Sequence, residues 1–124
     1  MDHKINKKTL VFGASVNPQR ASYVAIRKLQ SKLNEIVAIG GREGSIGDLQ
    51  IEKGHPNLKG IHTVTIYMGA KLQKEHEDYI VSLQPQRIIF NPGAENPEFE
   101  KRASEMGIEA VRACTSVLVT LGKF

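Results

Sequence analysis

The chain has 124 residues, of which 40% are hydrophobic and 24% charged; this suits one globular domain over 1–124 and excludes a disordered chain or a second domain. A single cysteine, Cys114, excludes an internal disulfide, no apolar run approaches the ~20 residues that cross a bilayer, and Met1 to Asn6 lack a signal-peptide core, so a cytoplasmic protein with no membrane association is expected. The net charge of +4 favours anionic ligands, while the absence of tryptophan and of aromatics interleaved with basic runs argues against nucleic acid as a partner.

Residues 1–8 carry Lys4, Lys7 and Lys8 and are expected as a flexible tail. Thr9–Phe12 is then a short, nearly continuous apolar run of the kind buried on both faces of a parallel sheet. It leads into Gly13-Ala14-Ser15-Val16-Asn17-Pro18-Gln19-Arg20-Ala21-Ser22. Small residues directly after a strand permit a sharp turn and close approach of a ligand, and N–H groups there and at the following helix start face an anion. Ser15 and Ser22 add hydroxyls, with Ser22 also a candidate N-cap, and Arg20 offers a rigid fork of donors for phosphate oxygens. An ordinary strand-to-helix turn with a solvated arginine would read the same way, so these residues alone leave both readings open.

Tyr23, Ile26, Leu29 and Leu33 recur at helical spacing, with Asn34 as the expected stop. The second strand, Ile36–Ile39, runs into Gly40-Gly41-Arg42. A dinucleotide fingerprint would need G-x-G-x-x-G and an acidic residue here; only Gly13 fits, which disfavours NAD. Arg42 suits a ribose phosphate instead, leaving NADP or the 3′-phosphate of coenzyme A. A surface charge on a loop would account for Arg42 equally well. Gly40 to Gly60 is too rich in glycine for a helix and is expected as an irregular loop, with one extended piece at Leu49–Ile51.

The third strand is expected at Val64–Tyr67, and the second helix carries the stripe Leu72, His76, Tyr79, Ile80 and Leu83, closed by Pro85. The fourth strand, Arg87–Phe90, enters Asn91-Pro92-Gly93-Ala94-Glu95-Asn96, where Gly93 and Ala94 again permit close approach and two asparagines offer amides. Asn96 as N-cap, Pro97 at the first helical position and Gly107 as the stop delimit a third helix with Phe99, Ala103 and Met106 on its apolar face. Ala110–Ala113 is the fifth strand, and Val117-Leu118-Val119 with Leu121 is expected to pack within the chain as a short helix.

Alternating strands and helices argue for an α/β fold: a Rossmann-like, doubly wound parallel sheet of five strands, order 3-2-1-4-5, with helices on both faces. Ligands bind such sheets beyond the carboxyl ends of the strands where the order reverses. That order places the crevice between the first and fourth strands, flanked by 13–22 and 91–96.

The run Phe12-Gly13-Ala14-Ser15-x-x-Pro18-x-Arg20, paired at this spacing with Asn91-Pro92-Gly93-Ala94-Glu95-Asn96, resembles the small stand-alone CoA-binding domain proteins. These are similar to the nucleotide-binding domain of succinyl-CoA ligase alpha subunits and of ADP-forming acyl-CoA synthetases. The resemblance extends from the first strand to Cys114. It implies that Gly13, Ala14, Ser15, Asn17, Arg20 and Ser22 cradle the pyrophosphate. It further implies that Gly40, Gly41 and Arg42, with Tyr67, Met68 and Gly69, flank the adenosine, and that Pro92, Gly93 and Ala94 lie toward the pantetheine. Two stretches depart from the family pattern: many relatives have Val-Asn-Pro after the second strand, and the exit of the third strand usually contains proline where this chain has Met68-Gly69-Ala70.

No catalytic constellation is legible. In the large relatives a phosphorylated histidine on another domain does the chemistry; here His3, His55, His62 and His76 all fall outside the two loops, and His76 reads as a packed histidine on its helix. Cys114, one residue past the fifth strand, reads as a small core side chain, and the resemblance assigns it no role. No metal-ligand spacing exists, and Glu95 and Glu98 read as partners of a helix dipole. The expected function is therefore a binding module for coenzyme A or an acyl-CoA, with a protein partner open and unidentified. The alternatives are a small enzyme, either a Cys114-dependent acyl transferase or an NADP-dependent reductase, and an interaction protein with a vestigial cofactor site.

Overall fold

The computed structural model describes residues 4–33 and 35–124; Asn34, the expected helix stop, and His3 lie outside them. Seven strands form one sheet: β1 (Thr9–Phe12), β2 (Ile36–Ile39), β3 (Gly44–Ile46), β4 (Leu49–Glu52), β5 (Thr63–Ile66), β6 (Arg87–Phe90) and β7 (Glu109–Arg112). Their spatial order is β3-β4-β2-β1-β5-β6-β7, parallel throughout except for β3, which pairs antiparallel with β4.

This corrects the expected five strands. The strand at 63–66 does not lie outside β2; it pairs with β1, Thr9 opposite Thr63 and Phe12 opposite Ile66. The place beyond β2 belongs to β4, inside the stretch expected as irregular. Counting β4 as the third parallel strand recovers the order 3-2-1-4-5 with a sixth strand added. The glycines that exclude a helix there instead permit a hairpin. The two-residue turn Gly47–Asp48 has its positive φ (+60°) at the first position, where a type II′ turn takes glycine. The central strands keep every residue buried, as strands covered on both faces must.

One face packs Leu10, Phe12, Val64, Ile66, Ile88 and Phe90 against α3 (Glu77–Ser82) and α4 (Pro97–Glu105). The other packs Val11, Ala38 and Ile89 against α1 (Ala21–Gln30) and α5 (Thr115–Thr120). In α4 the expected signals hold. Asn96 Oδ1 accepts from the Phe99 N–H at 3.2 Å, and the N–H groups of Gly107 and Ile108 return to the carbonyls of Ser104 and Ala103. Met106, expected on the apolar stripe, is the C-cap and is exposed.

The second helix is broken into α2 (Ala70–Gln73), a 3₁₀ turn at Lys74–His76, and α3. The tighter turn shifts the phase of the stripe, and Leu72 is 62% exposed while Gln73 is fully buried. Residues 4–8, expected as a loose tail, are tied down. The Ile5 N–H donates to Lys32 O, and the ammonium groups of Lys7 and Lys8 reach the carbonyls of Phe124 and Lys59. At the far end Leu118 and Val119 pack within the chain, as expected, while Val117 and Leu121 face solvent. Among the described residues no helix is long and apolar enough to cross a membrane.

Candidate functional site

Because the chain runs outward from β1 to β2 and β4 and then returns to β1's other side with β5, the order reverses between β1 and β5. The crevice therefore lies one strand nearer than expected, and the 67–69 loop stands directly across from 13–22. A cleft of about 670 Å³, within the usual size of ligand sites, opens there.

Its floor begins at Gly13. This residue has φ +98°, and a Cβ on it would stand 2.8 Å from the Tyr67 carbonyl oxygen, so only glycine fits. The N–H groups of Gly13 and Ala14 both donate to Ile39 O, at 2.8 and 2.9 Å, which ties the loop to β2. Ser15 Oγ accepts from the Asn17 N–H and Asn17 Oδ1 from the Gln19 N–H. These acceptors shape the turn, and the Ser15 O–H and the Asn17 amide N–H groups stay available for a ligand. α1 starts at Ala21 with Arg20 as its N-cap, and no side chain caps it. The Tyr23 N–H donates to Arg20 O at 3.1 Å, while the N–H groups of Ala21 and Ser22 and the positive end of the dipole are left for an anion. Ser22, a candidate cap, is instead the second helical residue and is buried.

Fourteen of the fifteen anticipated residues line this cleft; besides Gly69 they are Gly13, Ala14, Ser15, Asn17, Arg20, Ser22, Gly41, Arg42, Tyr67, Met68, Pro92, Gly93 and Ala94. Gly40 does not. It lies behind the wall, where a Cβ would stand 2.3 Å from Ala14 O and 3.0 Å from Ile51 Cγ2. Val16 and Ala21 also line the cleft and were not singled out, although both fall within the loop that was. The charged lining residues are Arg20 and Arg42, both cationic.

Asn91–Ala94 is a tight turn with Pro92 and Gly93 (φ +93°) at its centre and the Ala94 N–H donating to Asn91 O at 2.8 Å, the signature of type II. Glu95 Oε1 takes up the Gly93 N–H. The amides of Asn91 and Asn96, read as ligand groups, face inward instead. Asn91 Nδ2 donates to Thr65 Oγ1 and Ile66 O, while its Oδ1 accepts from the Thr115 N–H. Tyr67 places its ring beside the cleft, but its hydroxyl is buried and has no hydrogen-bond partner among the described residues. Burial pushes this phenol up to about 12, against a smaller opposing pull from the nearby Thr115 and Thr65 hydroxyls, so it stays protonated at neutral pH.

Cys114 is half-buried at the start of α5 and does not line the cleft. His55 and His76 pair with each other, Nε2 to Nδ1 at 2.8 Å, with His55 stacked on Tyr79 and His76 against Phe12. His62 lies at the opposite end of the sheet. Burial holds His62 and His76 below the usual value; the Arg87 and Lys7 charges lower His62 further against Glu109, and His55 lowers His76 against Glu75. Both groups favour the neutral form when folded, so the unfolded chain binds more protons below its histidine value of about 6.5. Their contribution to stability is therefore complete above that pH and lost as pH falls through the folded values. Urea midpoints are expected to fall between pH 7.5 and 5.5, and less steeply in a His62→Gln, His76→Gln double variant. An equal slope in the variant would assign the acid sensitivity to other groups.

Fold and cleft together define a Rossmann-like α/β domain whose main cleft opens at the carboxyl ends of β1 and β5. The chain belongs to the CoA binding domain family, whose sequence model matches residues 7–120. A crystal structure described only as an uncharacterized protein is 40% identical, with a TM-score of 0.93 over 98% of this chain and 100% of that one. A protein from Thermus thermophilus, cell-free ID.343, is 21% identical, with a TM-score of 0.84 over 96% of this chain and 91% of its own. A conserved hypothetical protein from Pyrococcus furiosus is 22% identical, with a TM-score of 0.76 over 91% and 98%. The last two show the fold alone. No curated protein matched the sequence.

Proposed function

We propose that this protein is a binding module for coenzyme A or an acyl-CoA. The observation that carries this reading is the cradle at Gly13, with no room for a side chain, facing an uncapped helix start in a cleft whose charged residues are both arginines. The pyrophosphate lies over 13–22 with Arg20 on its oxygens. Arg42 meets the 3′-phosphate; the 67–69 loop, expected beside the adenosine, stands next to 92–94, and the pantetheine arm leaves between these two loops. Membership of the CoA binding domain family supports the ligand class. The geometry lends the enzymatic alternative through Cys114 no support, because that thiol lies outside the cleft lining.

Calorimetric titration with CoA, dephospho-CoA, NADP and NAD tests the proposal. CoA is expected to bind, and dephospho-CoA more weakly. Arg42→Ala is expected to weaken CoA by about tenfold, the size of one charge-assisted contact, and to leave dephospho-CoA nearly unchanged. Binding of NADP without CoA would favour the reductase alternative. Binding of none of the four would sink the reading.

A further inference from the structure

Gln73 is fully buried, while Leu72, its neighbour on the same short helix, stands in solvent. Packing alone would choose the reverse, since a buried glutamine loses side-chain freedom and must have its amide satisfied. Both donors and the oxygen of that amide are engaged. Its Nε2 donates to Met68 O at 2.8 Å and to Ala94 O at 2.7 Å, and its Oε1 accepts from Asn96 Nδ2 at 2.9 Å. Asn96 is in turn held by the start of α4 through the Phe99 N–H. The two carbonyls that Gln73 joins belong to the two loops on either side of the cleft's far end. There Gly69 and Gly93 face each other, and a Cβ on Gly69 would meet Gly93 O at an ordinary contact distance of 4.0 Å.

We propose that Gln73 is the positioning residue that sets the separation of the 67–69 and 92–94 loops, and that it thereby makes the cleft selective for nucleotides carrying a pantetheine arm. The inference rests on the CoA reading of the cleft. The amide is fully buried with both donors engaged, so it acts through the loops and not by contact. The loop at 13–22 receives no bond from Gln73 and is tied to β2 through Ile39 O, so the nucleotide half of the site is expected to depend on Gln73 less than the arm does.

The test compares CoA with adenosine 3′,5′-bisphosphate, which lacks the arm, in wild-type protein and in Gln73→Met, which keeps length and removes the hydrogen bonds. Losing these bonds is expected to weaken CoA by about tenfold and to change the bisphosphate by less than about twofold. Asn96→Ser keeps an N-cap oxygen and removes the amide donor, which bonds Gln73 Oε1 at 2.9 Å and Glu77 Oε2 at 3.5 Å; it is expected to shift CoA in the same direction by a smaller factor and serves if Gln73→Met does not fold. Equal weakening of both ligands would reduce Gln73 to general support of the fold and overturn the proposal, as would unchanged CoA affinity. Wild-type protein that binds neither ligand would instead overturn the reading of the site, and this inference with it.

Discussion

Gly40→Ala is expected to destabilise the protein by about 3 kcal/mol, the upper range for overpacking, and to cut CoA affinity at least tenfold. The added methyl would stand 2.3 Å from the Ala14 carbonyl oxygen and 3.0 Å from Ile51 Cγ2. Neither neighbour is a flexible side-chain tip. Ala14 is backbone of the 13–22 loop, fastened to β2 through the hydrogen bond from its N–H to Ile39 O. Ile51 is a buried residue of β4, the strand whose Glu52 carbonyl accepts the Gly40 N–H at 2.9 Å. Relief must therefore come from moving the loop toward the ligand or prising β4 from β2. The neighbouring Gly41 provides the control: its Cβ would meet nothing within 4 Å, so Gly41→Ala is expected to leave stability within about 0.5 kcal/mol. Urea denaturation and a CoA titration of the two variants separate the outcomes. Equal stability would mean that the 13–14 loop yields at little cost and that Gly40 is not a packing requirement.

Arg20→Ala is expected to weaken CoA by about 10- to 100-fold, the range for losing hydrogen bonds to a charged group, while leaving the melting temperature nearly unchanged. The residue is exposed, caps α1 through its backbone and not its side chain, and forms no ion pair among the described residues. Truncation removes little from the folded chain and much from a bound pyrophosphate. The loss is expected to shrink as salt rises, because an accessible charge pair is screened. Arg20→Lys is expected to recover only part of the affinity, since an ammonium cannot reproduce the fork geometry. An Arg20→Ala protein that binds CoA as tightly as wild type would remove the phosphate role from this loop and leave Arg42 to account for the anion preference.

The two variants probe different kinds of information. Arg20, Gly13 and Ser15 were legible because short-range chemistry marks them: small residues, hydroxyls and a cation immediately after a strand. The limits of α4 were legible for the same reason, since Asn96, Pro97 and Gly107 satisfy or terminate the helix within one turn of themselves. The five apolar runs at strand positions were legible because burial on both faces demands continuous hydrophobicity. What these residues do not encode locally is which strand pairs with which.

That choice was made by the tertiary structure. The hairpin Gly44–Glu52 looks irregular in isolation, since it is short and interrupted by glycine, and Leu49–Glu52 becomes a sheet strand only by pairing with β2. Its presence there leaves 63–66 to join β1, and this moved the reversal point of the sheet and with it the crevice. The inward roles of Asn91 and Gln73 are equally non-local: each amide finds its partners across gaps of roughly twenty residues in sequence. By itself the sequence determined the α/β class, the positions of five of the strands and the turn-forming residues of both loops, because helix caps, turns and hydrophobic runs act over a few residues. Strand order, the wall behind Gly40 and the spacing of the two loops were decided only by pairing and packing between segments far apart in the chain.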